Sequence, residues 1–144
     1  MSGKRKTNMT INARLEWKEK MQFVGQAGNS PSVILDDPDG KTGPTPMEMV
    51  LMGIAGCTAM DVISIMRKKR ADVTGFQLNI SGERADDHPK RYTKIFIEFV
   101  LEGKRLSPKD VERAIELSAT KYCSAIASMS APVETSCRIV EKEG

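Results

Sequence analysis

Apolar and polar positions alternate in several separate runs of this chain, and one long stretch in its first half follows a different pattern. From Met9 to Trp17, Ile11, Ala13, Leu15 and Trp17 share one face while Asn12, Arg14 and Glu16 share the other, which is the period of a strand. Met21 to Gln26 and Ser32 to Asp36 predict two further short strands, separated by a Gly28-Asn29-Ser30-Pro31 turn. A loop rich in Asp, Pro and Gly then leads to the exception, Pro46 to Arg70. There Met47, Met49, Val50, Leu51, Met52, Ile54, Ala55, Cys57, Ala59, Met60, Val62, Ile63, Ile65 and Met66 cover most of a helix's circumference. Pro46 suits a first helical turn. Glu48 complements the positive end of the helix dipole, and Arg67, Lys68, Lys69 and Arg70 complement the negative end. A helix apolar on every side has to be enclosed.

Alternation resumes in Gly75 to Arg84 and in Arg91 to Gly103, where Ile95, Ile97, Phe99 and Leu101 share a face. The polar loop between them predicts an antiparallel hairpin. Ser107-Pro108-Lys109-Asp110 carries the signature of a helix start, with Ser107 as N-cap, and Val111, Ala114 and Ile115 form its apolar stripe. That helix is expected to run to Thr120. Cys123 to Ser130 predicts a second, short helical turn of small residues, and Val133 to Glu141 a closing strand. Helices and strands are segregated, so the expected class is α+β, with antiparallel sheets around a long, central, buried helix. The length suits a single domain over residues 9–144, preceded by a disordered basic tail over residues 1–8. One small domain hides an all-apolar helix poorly, and a homodimer hides it better.

Composition narrows the function. Lys4, Arg5 and Lys6 account for the whole net charge of +3, so the folded body is near neutral and no nucleic-acid partner is expected. Met49 to Met66 approaches the length of a membrane span. Asp61 near its middle, and the lack of a second such segment, argue for a soluble helix and no membrane partner. No apolar region follows the basic N-terminus, so the expected location is cytoplasmic and reducing, with Cys57, Cys123 and Cys137 as thiols. None of the three has metal-ligand spacing, and the single histidine, His88, falls in a polar turn, Asp86-Asp87-His88-Pro89. A zinc site, an iron–sulfur site and a Cys–His hydrolase are therefore not expected.

Cys57 sits mid-helix in Gly53-Ile54-Ala55-Gly56-Cys57-Thr58-Ala59. Each glycine there costs roughly 1 kcal/mol of helix propensity against Ala, which makes sense where a backbone or substrate must approach the sulfur. Asp61, one turn later on the same face, is expected to orient a site group or to pair with a basic residue. Cys137, within an alternating strand, reads as a packing or surface thiol.

At Pro46-Met47-Glu48, Gly53-Ile54-Ala55-Gly56-Cys57 and Tyr122-Cys123-Ser124 the chain resembles the OsmC/Ohr family of thiol-dependent hydroperoxide reductases, in its YhfA-like branch. The resemblance implies an intertwined α+β homodimer with two central helices and active sites at the subunit interface. It also implies a peroxidatic Cys57, a resolving Cys123, no metal and no cofactor, with a small organic hydroperoxide as substrate. A dithiol, such as a lipoylated protein, would supply the electrons. The chemistry suits the residues: a thiolate attacks the O–O bond, becomes a sulfenic acid, and condenses with a second thiol. The thiolate needs a nearby cation, because an apolar surround disfavours it.

The chain departs from the family pattern at the acid. Peroxide-reducing relatives hold an early Arg with a Glu where this chain has Met47, and the acid here is Glu48, nine residues before Cys57. At about 100° per residue, that spacing turns Glu48 half a turn away from Cys57 in a straight helix. Glu48 remains the candidate acid, and Arg14 and Arg84 are the candidate thiolate-stabilising cations. A different class also fits the scaffold: a non-enzymatic protein that binds an apolar ligand or senses redox state, its cysteines packing or switching.

Overall fold

The computed structural model describes residues 10–143, and the chain divides after Met49 into two compact units. The expected tail over residues 1–8 lies outside the described residues. In the first unit, β1 (Ala13–Glu19), β2 (Gln22–Ala27) and β3 (Val33–Leu35) form an antiparallel sheet in that order. The β2–β3 turn uses Gly28 at φ +55°, a left-handed conformation that suits glycine, and Ser30 N–H donates to Ala27 O at 3.0 Å. β1 starts later than the alternation suggested. All of it is exposed within one chain, including Leu15 and Trp17.

The loop after β3 is tied by Asp36, a buried carboxylate that accepts from Thr42 Oγ1 and from the backbone N–H groups of Asp37 and Thr42. These bonds, Thr42's first, hold its carboxyl below the usual range. Gly40 leaves room for this arrangement, because a Cβ there would overlap the Asp36 carboxylate and force it to move. The chain then enters helix α1 (Pro46–Lys68) through a reciprocal capping box. Thr45 N–H donates to Glu48 Oε1 at 2.8 Å, and Glu48 N–H donates to Thr45 Oγ1 at 3.2 Å. α1 closes at Lys68 in a Schellman motif, with Arg70 at φ +57° and Ala71 N–H donating to Met66 O.

In the second unit, β4 (Asp72–Arg84) and β5 (Tyr92–Lys104) form the predicted antiparallel hairpin. β6 (Val133–Glu141) lies on the other side of β5 and runs parallel to it, pairing Val133 with Ile95. The expectation of purely antiparallel sheets is corrected here. Between β5 and β6 the chain passes through helical segments that return it to the starting end of β5, and such a crossover permits the parallel pairing that a hairpin forbids. Ile95, Ile97, Phe99 and Leu101 of β5 are buried on one face, as the alternation predicted. Residues of β5 on the other face pair with charged neighbours on β6 or just beyond its end: Lys94 with Glu134, Glu98 with Arg138 and Glu102 with Lys142. Exposed pairs of this kind contribute about 0–1 kcal/mol each, so the fold rests on the buried face.

Helix α2 (Pro108–Leu117) begins at the predicted N-cap, where Asp110 N–H donates to Ser107 Oγ at 3.3 Å, and buries Val111, Ala114 and Ile115. α1 adds Ile54, Thr58, Val62 and Met66 to the same core, a stripe at strict four-residue spacing. The helix is therefore not buried all round within one chain: Met60 is 73% exposed and Met52 49%. An isolated sheet and one neighbouring helix can cover only one side of a cylinder, and the remaining apolar side of α1 is left uncovered.

Candidate active site

Cys57 rides on α1 between the buried residues Ile54 and Thr58 and is itself half-buried. Four residues on, one helical turn, comes Asp61, also half-buried. Facing them is the end of α2, where helix geometry changes. The expected α-helix to Thr120 stops at Leu117, and Ser118–Tyr122 forms a π turn, closed by Cys123 N–H donating to Ser118 O at 2.8 Å. That closure matters for position. At about 100° per residue an α-helix would rotate residue 123 roughly 140° away from residue 118, whereas an i→i+5 turn brings it back beneath. Ser118 and Cys123 thus meet α1 together.

The result is a cluster that joins Cys57, Asp61 and Cys123, with the two sulfurs and a carboxylate oxygen all within 4.8 Å of one another. Cys123 is only 4% exposed and is the N-cap of α3 (Ser124–Ala127), with Ile126 N–H donating to its Sγ at 3.4 Å. Burial, above all, pushes the Cys123 thiol up from the ordinary range; the Ile126 hydrogen bond opposes this, and Cys57 adds to it. The cysteines are free thiols.

A buried hydroxyl relay supports the cluster. Ser118 Oγ–H donates to Asp61 Oδ2 at 2.9 Å, and the Ser118 and Thr58 hydroxyl oxygens are 2.7 Å apart. Ser118 has one proton and gives it to the carboxylate, so Thr58 is the donor in the second bond. Thr58 is 1% exposed and Ser118 fully buried, so neither hydroxyl has water as a substitute. Ser118→Ala is accordingly expected to destabilise the fold by about 1–3 kcal/mol, the cost of an unpaired buried polar group. Denaturant unfolding measures it. In a double-mutant cycle, the Thr58→Val/Ser118→Ala pair should cost less than the sum of the two single changes.

The expected role of Asp61 as an orienting group or a partner of a basic residue resolves to a hydroxyl partner. Neither Ser118 nor Thr58 is singled out by the sequence, since a serine sixty residues from its hydroxyl partner Thr58 carries no local signal of contact. The other predicted site residues lie elsewhere in the chain's bonding. The Glu48 carboxylate caps α1 through Thr45, a role that the Thr45-Pro46-Met47-Glu48 spacing does signal. Arg84 Nε donates to Lys90 O at 2.7 Å in the β4–β5 loop. Arg14 is exposed on β1 in the first unit. Cys137 is half-buried on β6 and lines a separate groove of about 490 Å³ with Glu112 and Glu116 of α2. His88 is exposed in the hairpin loop, as expected.

Comparison with known proteins agrees with this architecture. The family model for OsmC-like proteins matches residues 38–138. The chain is 40% identical to protein YhfA of Escherichia coli K12 over 114 residues, which make up 79% of this chain and 85% of that one. A crystal structure of a hypothetical protein from Aquifex aeolicus VF5 matches 94% of this chain and 100% of its own, with a TM-score of 0.86 and 28% identity. The organic hydroperoxide resistance protein OhrB of Bacillus subtilis shares the fold more distantly. Its TM-score is 0.60 at 12% identity, with 91% of this chain and 98% of that one covered.

Proposed function

Because the chain belongs to the OsmC-like family, we propose that it is a cofactor-free thiol peroxidase that reduces small organic hydroperoxides, with Cys57 as the attacking sulfur and Cys123 as the resolving one. It is a soluble OsmC-like protein, and α1, although long and apolar enough to cross a membrane by length and composition, is its core helix. The observation that carries the reading is the approach of two free thiols from different elements to within 4.8 Å. Spacing of this kind suits a cycle of three balanced steps. The Cys57 thiolate attacks the peroxide O–O bond, forming a sulfenic acid and releasing an alkoxide that takes up a proton. The Cys123 thiol then condenses with the sulfenic acid, forming the S–S bond and releasing water. A dithiol, such as a lipoylated protein, reduces that disulfide by exchange and leaves as a disulfide itself.

In this scheme the working unit is a homodimer in a reducing, cytoplasmic compartment. The exposed apolar side of α1 and the exposed β1 residues Leu15 and Trp17 are covered by the second copy. Arg14 or Arg84, of either copy, supplies the cation that stabilises the thiolate, and Glu48 is the acid that would hold it.

The disulfide tests the scheme. Cys57 is fixed within α1, whereas Cys123 lies between a π turn and a single-turn helix of small residues, so Cys123 is expected to make the movement. Bridging brings the Cα atoms within about 7 Å. Peptide mapping after one equivalent of an alkyl hydroperoxide should find Cys57 joined to Cys123 within one chain. Cys57 driven to sulfinic acid with Cys123 still free would remove the two-cysteine mechanism.

One observation favours a second reading. Among the described residues, an acidic side chain, Asp61, lies beside the two sulfurs. On this reading the pair is a redox sensor, or packing around an apolar ligand, and forms its disulfide once without turnover. Steady-state consumption of hydroperoxide in the presence of a dithiol separates the two: many equivalents per chain support the enzyme, and a single equivalent supports the sensor.

A further inference from the structure

Three donor atoms converge where a peroxidase needs only two. The Cys57 and Cys123 sulfurs and one Asp61 carboxylate oxygen all lie within 4.8 Å of one another. In a tetrahedral zinc site with metal–sulfur bonds near 2.3 Å, the ligand sulfurs sit about 3.8 Å apart. The cluster therefore needs a contraction of about an ångström or less. The donor chemistry is that of thiophilic ions, since thiolates select zinc and Cu(I) over harder cations.

The supporting atoms match as well. Ser118 Oγ–H holds Asp61 Oδ2 at 2.9 Å, and Thr58 in turn holds Ser118. The carboxylate is thus aimed by an outer shell, as metal-bound carboxylates are. The Cys123 sulfur accepts from Ile126 N–H, a bond that favours a thiolate over a thiol. Three protein ligands leave a fourth position open for water or another exogenous donor, as in catalytic zinc sites. Sequence spacing could not reveal this set. The donors lie at positions 57, 61 and 123, on two elements joined only by the tertiary fold.

We propose that the reduced Cys57–Cys123 dithiol, together with Asp61, binds a single thiophilic metal ion per chain, zinc being the divalent case. Metal and disulfide are then mutually exclusive states of one pair of sulfurs. Binding exchanges two thiol protons for the metal. Oxidation by a hydroperoxide, a step that rests on the proposed function, consumes two protons, forms the S–S bond, and releases the metal ion, an alcohol and water. The bound ion would protect the dithiol from oxidation, and the oxidant would free the ion.

Cobalt(II) is the probe for the zinc site, because it reports both thiolate ligation and coordination number. Reduced full-length protein, freed of reductant under anaerobic conditions, is titrated with Co²⁺. The expected result is a thiolate-to-cobalt charge-transfer band, with visible bands of four-coordinate intensity, saturating at one ion per chain. One equivalent of Zn²⁺ should bleach it, since zinc binds such sites more tightly than cobalt. Cys57→Ser and Cys123→Ser should each lose most of the band, while Cys137→Ser should keep it. Ser118→Ala, which frees the carboxylate, should weaken binding by about 10–100-fold. Wild-type protein oxidised with diamide should give no band, an arm that requires no substitution and no peroxidase activity.

Absence of a charge-transfer band in the reduced wild type would overturn the inference. So would a band that survives both single serine variants, or one that persists in the oxidised protein. A protein that turns over hydroperoxide without binding cobalt would lose this inference and keep the proposed function. Cobalt binding in a protein inert to hydroperoxides would do the reverse.

Discussion

Cys57→Ser is expected to reduce hydroperoxide consumption by about 10³-fold or more, to the rate of the buffer and reductant alone. Removal of a covalent nucleophile has effects of that order or larger, because nothing else in the site performs its step. A serine hydroxyl keeps the shape of the side chain but is not appreciably ionised at neutral pH and does not form a sulfenic acid. Cys57 is only half-buried, so the fold should tolerate the change, and an unaltered unfolding midpoint would certify that the loss is chemical. Cys123→Ser should behave differently. The first turnover would survive, and the sulfenic acid on Cys57 would then be trapped by a dimedone-type probe or over-oxidised. Cys137→Ser should leave the rate unchanged, since that thiol lines another groove. Equal slow rates for wild type and Cys57→Ser would end the peroxidase reading.

Met60→Lys is expected to dissociate the protein and to lower its stability by about 3–5 kcal/mol per chain, the cost of an unpaired buried charge. Met60 is 73% exposed in one chain. If that exposure persisted in solution, a lysine there would change stability by no more than about 0.5 kcal/mol, as surface substitutions do. The two expectations differ enough to decide whether a second copy covers α1. Sedimentation at micromolar concentration should give a dimer for the wild type and a monomer for the variant, whose dissociation constant rises by about four to seven orders of magnitude because each dimer loses the contribution of two chains. In the proposed dimer the same residue occurs on both copies of α1, so one substitution introduces two charges into a self-complementary contact. A monomeric wild type whose stability is indifferent to Met60→Lys would remove the dimer from the proposal.

The local signals in this chain were sufficient for the order of its strands and α-helices. Alternation in Ile95, Ile97, Phe99 and Leu101 identified β5 and its buried face, because side chains on a strand must point alternately to the two sides of the sheet. Ser107 and Pro108 identified the start of α2, because capping acts between residues three apart. The apolar run after Pro46 identified α1, and the contexts of Cys57 and Cys123 identified the family. What the sequence left unstated depends on contacts between residues far apart in the chain. Parallel pairing of β6 follows from where the crossover delivers Val133, which no alternation encodes. The π turn at Ser118–Tyr122 is an extra residue accommodated within a helical register, and it alone brings Cys123 back under Ser118. From that turn follow the meeting of the two sulfurs, the Thr58–Ser118–Asp61 hydrogen bonds, and the carboxylate beside the thiols. Side-chain period and capping are properties of neighbouring residues and can be read along the chain. The convergence of positions 57, 61, 118 and 123 is a property of packing, and only the folded structure decides it.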